Sequence, residues 1–177
     1  SEPDKEQRAG ASAPALVRRA SSWRSVRAAA FDLLQRVGDQ TLGDQRKYGL
    51  LLTTAHGSGY KPLVDAAEAE CAPKLSAEAA NAARAAAAIM AMNNVYYRFT
   101  HLASNKEYST LPAKLRMNVI GQPGIDKADF ELFSLAVSAQ NGCGMCIDSH
   151  EKVLKSHGDP ADVIQAAARI GAVMTAA

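Results

Sequence analysis

Residues 76–97 read SAEAANAARAAAAIMAMNNVYY, a run with no glycine or proline and with alanine at ten of its 22 positions. Alanine has the highest helix propensity, so the run favours helix before any packing is considered. Ser76 suits an N-cap and Glu78 lies close to the partner position of a capping box. Ile89, Met90 and Met92 make the helix apolar enough to be buried on most sides, so a helix is predicted from Ala77 to about Tyr97. The whole chain shares the bias: 35 alanines stand against 22 valine, isoleucine and threonine residues in 177 positions. β-Branched residues favour strands, and their scarcity points to an all-α helical bundle in one domain.

Working outward, the capping and breaking residues divide the chain into helices. Asp44 is expected to cap a helix that reaches about His56 and ends at Gly57-Ser58-Gly59. Pro62 suits the first turn of the next, which runs to about Cys71 and is broken by Pro73. Downstream, Pro112 is expected to open a helix ended by Gly121-Gln122-Pro123-Gly124. Asp126 caps another to about Gln140, and Asn141-Gly142 leads into a helix from Cys143 to about Ser156. Gly158-Asp159-Pro160 precedes a last helix from Ala161 onward. Ser76 to Met92 and Asp159 to Thr175 echo each other, as an internal helical pseudo-repeat would.

Before Thr41 the pattern changes. Ala11 to Ala30 holds four arginines, four serines and no acidic residue, a composition shared by targeting segments and poorly ordered arms. Residues 1–40 are read as a divergent N-terminal segment carrying a short helix near Trp23 to Arg36, and 41–177 as the helical domain. The formal net charge of +2 offers no basic stripe for nucleic acid, and no run of eighteen apolar residues could cross a membrane. A soluble, cytoplasmic protein is expected.

Three cysteines cannot all pair within one chain. Cys71 stands apart and is expected to pack as a small apolar residue. Cys143 and Cys146 sit three apart in N-G-C-G-M-C, a spacing that suits redox or metal chemistry. On a helix, Cys143, Cys146 and His150 fall at i, i+3 and i+7 on one face. Cys143 would stand near the helix N-terminus, where unpaired N–H groups favour an anion and so lower a thiol's pKa. A thiolate attacks the O–O bond of a hydroperoxide to give a sulfenic acid, which a second thiol converts to a disulfide. His150 is the nearest proton shuttle by helical spacing. Glu131, on the preceding helix, could orient its imidazole if the two helices are antiparallel neighbours.

From Thr41 onward the chain resembles the alkyl hydroperoxidase D family, within the wider carboxymuconolactone decarboxylase-like group. The resemblance is carried by AIMAMNNVYYRF at residues 88–99 and by LRMNVIGQPGIDKADFELFSLAVSAQNGCGMCIDSHE at residues 115–151. It implies an all-helical protomer, a homotrimer, and a relay of Glu131, Cys143, Cys146 and His150. It implies Cys146 as the peroxide-attacking thiol and Cys143 as the resolving one, whereas helix-terminus electrostatics alone would favour Cys143. It also implies a partner peroxiredoxin (the alkyl hydroperoxide reductase C subunit) and electrons from a dihydrolipoyl-bearing protein or similar dithiol, with no bound cofactor or metal. Some members carry a histidine immediately before the second cysteine, where this chain has Met145.

The leading expectation is therefore an antioxidant thiol-dependent peroxidase acting on alkyl hydroperoxides. Two other readings stand beside it. One is a disulfide reductase or adaptor for a peroxiredoxin, without peroxide turnover. The other is a zinc site using Cys143, Cys146, His150 and a further ligand such as His157, against which all candidates lie on one helix. His157 suits a helix cap, and the Tyr96-Tyr97-Arg98-Phe99 cluster before His101 suits packing or a subunit contact.

Overall fold

The computed structural model describes Arg24, Ala28 and residues 42–176. The N-terminal segment 1–40 and its expected helix near Trp23 to Arg36 otherwise lie outside the described residues. From Leu42 the chain forms α1 (Asp44–Ser58), α2 (Lys61–Cys71), a 3-10 turn (Ala72–Lys74), α3 (Ala77–Leu102) and a second 3-10 turn (Lys106–Ser109). It continues with a short α4 (Asn118–Gly121), then α5 (Lys127–Gln140), α6 (Gly144–Ser156) and α7 (Ala161–Thr175). Among the described residues there is no strand, as the alanine-rich composition predicts.

The helix starts follow from capping chemistry. Asp126 accepts hydrogen bonds from the Ala128 and Asp129 N–H groups, and Ser76 accepts one from Ala79. Glu78 falls one position short of the capping-box site. Gly43, not Asp44, is the N-cap of α1, and Asp44 adds its charge to the first turn. Pro62 lies in the first turn of α2, and Pro73 moves the chain into a 3-10 turn directly after Cys71.

Two boundaries differ from expectation. The predicted end of α3 near Tyr97 is passed without a break, because no glycine or proline intervenes, and the helix continues to Leu102. The helix expected to open at Pro112 does not form: residues 112–117 are non-helical and only Asn118–Gly121 completes a turn. Leu111, preceding a proline, is biased away from helical backbone. Lys114 then takes φ 53°, a left-handed conformation that stops a right-handed helix.

The core is organised around α5, on which every residue from Ala128 to Ser138 is buried. Helices α1, α3, α6 and α7 surround it. Small residues permit the close approach. A Cβ at Gly49 on α1 would collide with the Phe133 ring, and one at Gly171 on α7 would stand 2.9 Å from the Ala136 carbonyl oxygen. Phe130, Leu132, Phe133 and Leu135 fill the space between helices together with Leu50, Leu51 and Ile170. Cys71 is wholly buried in the same core, as expected.

An ion-pair network ties one end of this arrangement together. Arg46 on α1 reaches Asp129 at 2.5 Å and Asp159 at 2.5 Å, joining the start of α5 to the loop before α7. The guanidinium's own burial disfavours its charge, but the two carboxylates outweigh that and raise its pKa. No helix among the described residues is long and apolar enough to cross a membrane.

Candidate functional site

The geometry begins with the turn that delivers Cys143. Helix α5 ends at Asn141 as C-cap, and Gly142 takes φ 65°. Gly142 N–H then bonds the Ala139 carbonyl and Cys143 N–H bonds the Ser138 carbonyl. These two bonds make a Schellman motif, which needs a left-handed residue at the position Gly142 occupies. N-G-C is thus a helix stop that also sets Cys143 as the N-cap of α6. Cys143 is extended (φ −94°, ψ 91°), so the helical stripe proper is Cys146, His150 and Leu154, the buried residues of α6. Cys143 joins that stripe covalently: it forms a disulfide with Cys146 across a Cα–Cα distance of 5.3 Å.

Helix α6 packs against α5, and this brings Glu131 to the imidazole of His150, with Oε2 2.5 Å from Nδ1. Glu131 is 3% exposed, so an ordinary solvated surface role does not apply. Its other oxygen, Oε1, accepts from the Lys127 ammonium at 2.8 Å. Burial by itself would push the carboxyl's pKa up, but the bonds from His150 and Lys127 outweigh it and hold it below the ordinary value. The second imidazole nitrogen, Nε2, lies 3.2 Å from the Met90 sulfur on α3.

These groups face a cavity of about 420 Å³ lined by Cys146, His150 and Glu131, with Met90, Asn93 and Tyr97 of α3 forming one wall. Met117 and Ile120 roof it and Met145 stands at its edge. Apolar walls around a few convergent polar groups are the usual make-up of a small-molecule site. The two sulfurs are not equivalent. Cys146 lines the cavity, whereas Cys143 is 1% exposed and does not. Asn93 is buried at the cavity wall, and its Oδ1 has no hydrogen-bond partner among the described residues.

Cys143, Cys146, His150 and Glu131, chosen from sequence, therefore come together. Met90, Asn93 and Lys127 also reach the site and were not chosen. Met90 and Asn93 lie far away in the chain, on a helix whose composition signals only burial. Lys127 lies four residues before Glu131, and that spacing was a readable signal.

The other histidines stand elsewhere. His157 Nδ1 meets the Val153 carbonyl at the end of α6, in the capping role expected of it. His56 pairs with Glu68 at 2.7 Å. His101 lies at the end of α3 beside Tyr96, Tyr97 and Tyr108, in a neighbouring surface hollow of about 380 Å³ that shares Tyr97 and Met145 with the cavity. No group of three or more histidine, cysteine, aspartate or glutamate residues is arranged to hold a metal ion among the described residues.

Residues 106–177 match the carboxymuconolactone decarboxylase family. A Rhizorhabdus wittichii protein named alkyl hydroperoxide reductase AhpD is 79% identical over 141 residues, covering 80% of this chain and 82% of that protein. A protein of the same name from Rhodopseudomonas palustris is 63% identical over 143 residues, 81% of this chain and 79% of its own. One from Hyphomonas neptunium is 62% identical over 136 residues, 77% and 76% of the two chains.

Proposed function

The chain belongs to the alkyl hydroperoxide reductase AhpD family, and from that premise and the site geometry we propose a thiol-dependent peroxidase with Cys146 as the attacking thiol. The observation that carries the assignment of Cys146 is its place in the cavity wall beside His150, with Cys143 buried behind it.

The chemistry runs in three balanced steps. In the reduced enzyme the Cys146 thiolate attacks the terminal oxygen of the hydroperoxide. The O–O bond breaks, Cys146 becomes a sulfenic acid, and the departing alkoxide takes a proton to leave as an alcohol. The Cys143 thiol then attacks the sulfenic sulfur, releasing water and closing the disulfide that the structure contains. An external dithiol reopens it by thiol–disulfide exchange and is itself oxidised to a disulfide. His150 moves the protons, taking one from the Cys146 thiol and returning it to the alkoxide. Glu131 holds the imidazole by Nδ1 so that Nε2 faces away from the carboxylate and toward the Met90 side of the cavity. Met145, in the place of a histidine found in some relatives, adds no second proton carrier.

The same reading includes an external donor of the dihydrolipoyl type and a peroxiredoxin as disulfide partner, both of which need a reactive thiol at an open edge. It places the enzyme in a reducing cytoplasm, where the dithiol can be regenerated. It also includes a homotrimer. Val95 (61% exposed), Phe99 (51%) and Leu102 (71%) give the end of α3 an apolar exposed surface of the kind subunits cover.

The test is a thiol count on reduced protein before and after one equivalent of cumene hydroperoxide. Loss of two thiols per chain, restored by dihydrolipoamide, is the expected result. No loss with the organic peroxide, together with reduction of an oxidised peroxiredoxin, would replace the peroxidase by a disulfide reductase.

A further inference from the structure

One cationic group at the site has no part in the chemistry above. Lys127 sits on the first turn of α5, and its ammonium makes two bonds. One goes to Glu131 Oε1 at 2.8 Å, and the other to the Ile120 carbonyl at 3.0 Å. Ile120 belongs to α4, the short helix that with Met117 roofs the cavity. A lysine four residues before a glutamate is commonly a solvated helix pair of little consequence. Here the partners differ in burial, with side-chain exposure of 41% for Lys127 and 3% for Glu131. The carboxylate has its two oxygens divided between two donors, Lys127 and His150, and each oxygen's direction is set by the other's bond.

We propose that Lys127 is a positioning residue of the proton relay, fixing the Glu131 carboxylate toward His150 and fastening the cavity roof to the same group. The proposal rests on the peroxidase reading for its kinetic consequence, but its geometric content does not. A carboxylate gripped at Oε1 cannot rotate away from the imidazole without breaking a charge-assisted bond. Without Lys127, burial acts on Glu131 against His150 alone, and the carboxyl takes up a proton at a higher pH than before. A protonated Glu131 no longer offers an anion to the imidazolium formed during turnover. The roof loses its tether at the Ile120 carbonyl at the same time.

The groups facing Glu131 can be named. On its own helix there is Lys127, and on α6 there are His150 and Cys146. The α3 wall presents Met90, Asn93 and Tyr97. The charged Arg46 of α1 engages Asp129 and Asp159 instead.

The experiment compares wild type, Lys127→Met and Lys127→Arg as full chains. Steady-state cumene hydroperoxide reduction with dihydrolipoamide is followed across the acid-to-neutral range, together with the side-chain carboxyl NMR titration of Glu131. In Lys127→Met turnover is expected to fall roughly tenfold or more with little change in KM, by the scale of general acid–base effects. Its acid limb moves to higher pH, and so does the Glu131 carboxyl titration. Lys127→Arg, which keeps a donor and a charge, recovers most of the rate. A Lys127→Met enzyme with wild-type turnover, pH profile and Glu131 titration overturns the proposal. Should the methionine variant fail to fold, Lys127→Gln takes its place with the same expected signs. If wild type consumes no peroxide, the peroxidase reading fails, while the Glu131 titration still decides whether Lys127 positions the pair.

Discussion

Asn141 Nδ2 donates to Asn94 Oδ1 at 3.0 Å, so the C-terminal half of α3 is bonded to the turn that delivers Cys143. Asn94 is fully buried and its own amide donates to Ser138 Oγ at 3.0 Å. Ser138 is also the residue whose carbonyl receives the Cys143 N–H. Arg98, one turn further along α3, adds a bond to the Asn141 carbonyl. Cys143 is therefore held by a polar network running through α3 as well as by its own turn.

Replacing Asn94 with leucine would orphan the buried Ser138 hydroxyl and remove the partner of the half-buried Asn141 amide. A loss of about 1–3 kcal/mol in unfolding free energy is expected, the usual cost of stranding such groups. Urea unfolding measures it. Disulfide closure after a single peroxide equivalent should slow in the same variant, since Cys143 is less firmly placed, and an unchanged closure rate would separate the network from the chemistry.

The two cysteine substitutions should behave differently. Cys146→Ser is expected to abolish peroxide consumption, while Cys143→Ser should complete one attack and stop at a sulfenic acid. A dimedone adduct on Cys146, found by mass spectrometry, is the diagnostic product. An adduct on Cys143 in the Cys146→Ser protein would reverse the roles, as helix-terminus electrostatics alone would have it.

Acid should weaken the link between α2 and α3 at Glu68. Hydrogen bonds from the Arg84 guanidinium, and less strongly from His56, hold its carboxyl at about 2 against an ordinary 4.5. A depressed carboxylate pKa stabilises the fold fully above the unfolded value, and that stability is lost as pH falls through the folded one. The contribution should therefore be intact above 4.5 and drain away toward about 2. Glu68→Gln is expected to cost about 1 kcal/mol near neutrality, allowing for partial exposure, and to flatten that part of the urea-midpoint profile.

Gly49→Ala should destabilise the fold by about 1–3 kcal/mol, because the added methyl collides with the Phe133 ring in a core without slack. Pairing it with Phe133→Leu should recover part of the loss. Denaturation of the two single variants and the double variant gives the coupling directly.

How far the sequence could be read depended on whether the signal was local. The alanine run at Ala77, the Asp126 cap and the Pro62 and Gly142 punctuation each act over a few residues, and the helices they announce formed. Pro112 carried the same outward mark as Pro62, yet its helix did not form. What differed was a left-handed Lys114, which no neighbouring residue type announces. Within the site, Cys146 and His150 share a helix face and were legible from spacing. Met90 meets His150 from 60 residues away, and no periodicity in either segment encodes that meeting. The unequal burial of Cys143 and Cys146 was likewise invisible, because it depends on how the turn after α5 packs into the rest of the fold.

The burial of α5 on every side has a consequence for how this site can change over time. A helix enclosed by four others cannot lean outward to absorb a larger side chain, so the floor of the cavity is closed to drift. Its roof and rim, made by α4, Met145 and the end of α3, face fewer neighbours. New tolerance for bulkier or more polar peroxides would accumulate at those edges, while the carboxylate and imidazole beneath them stay inherited as a unit.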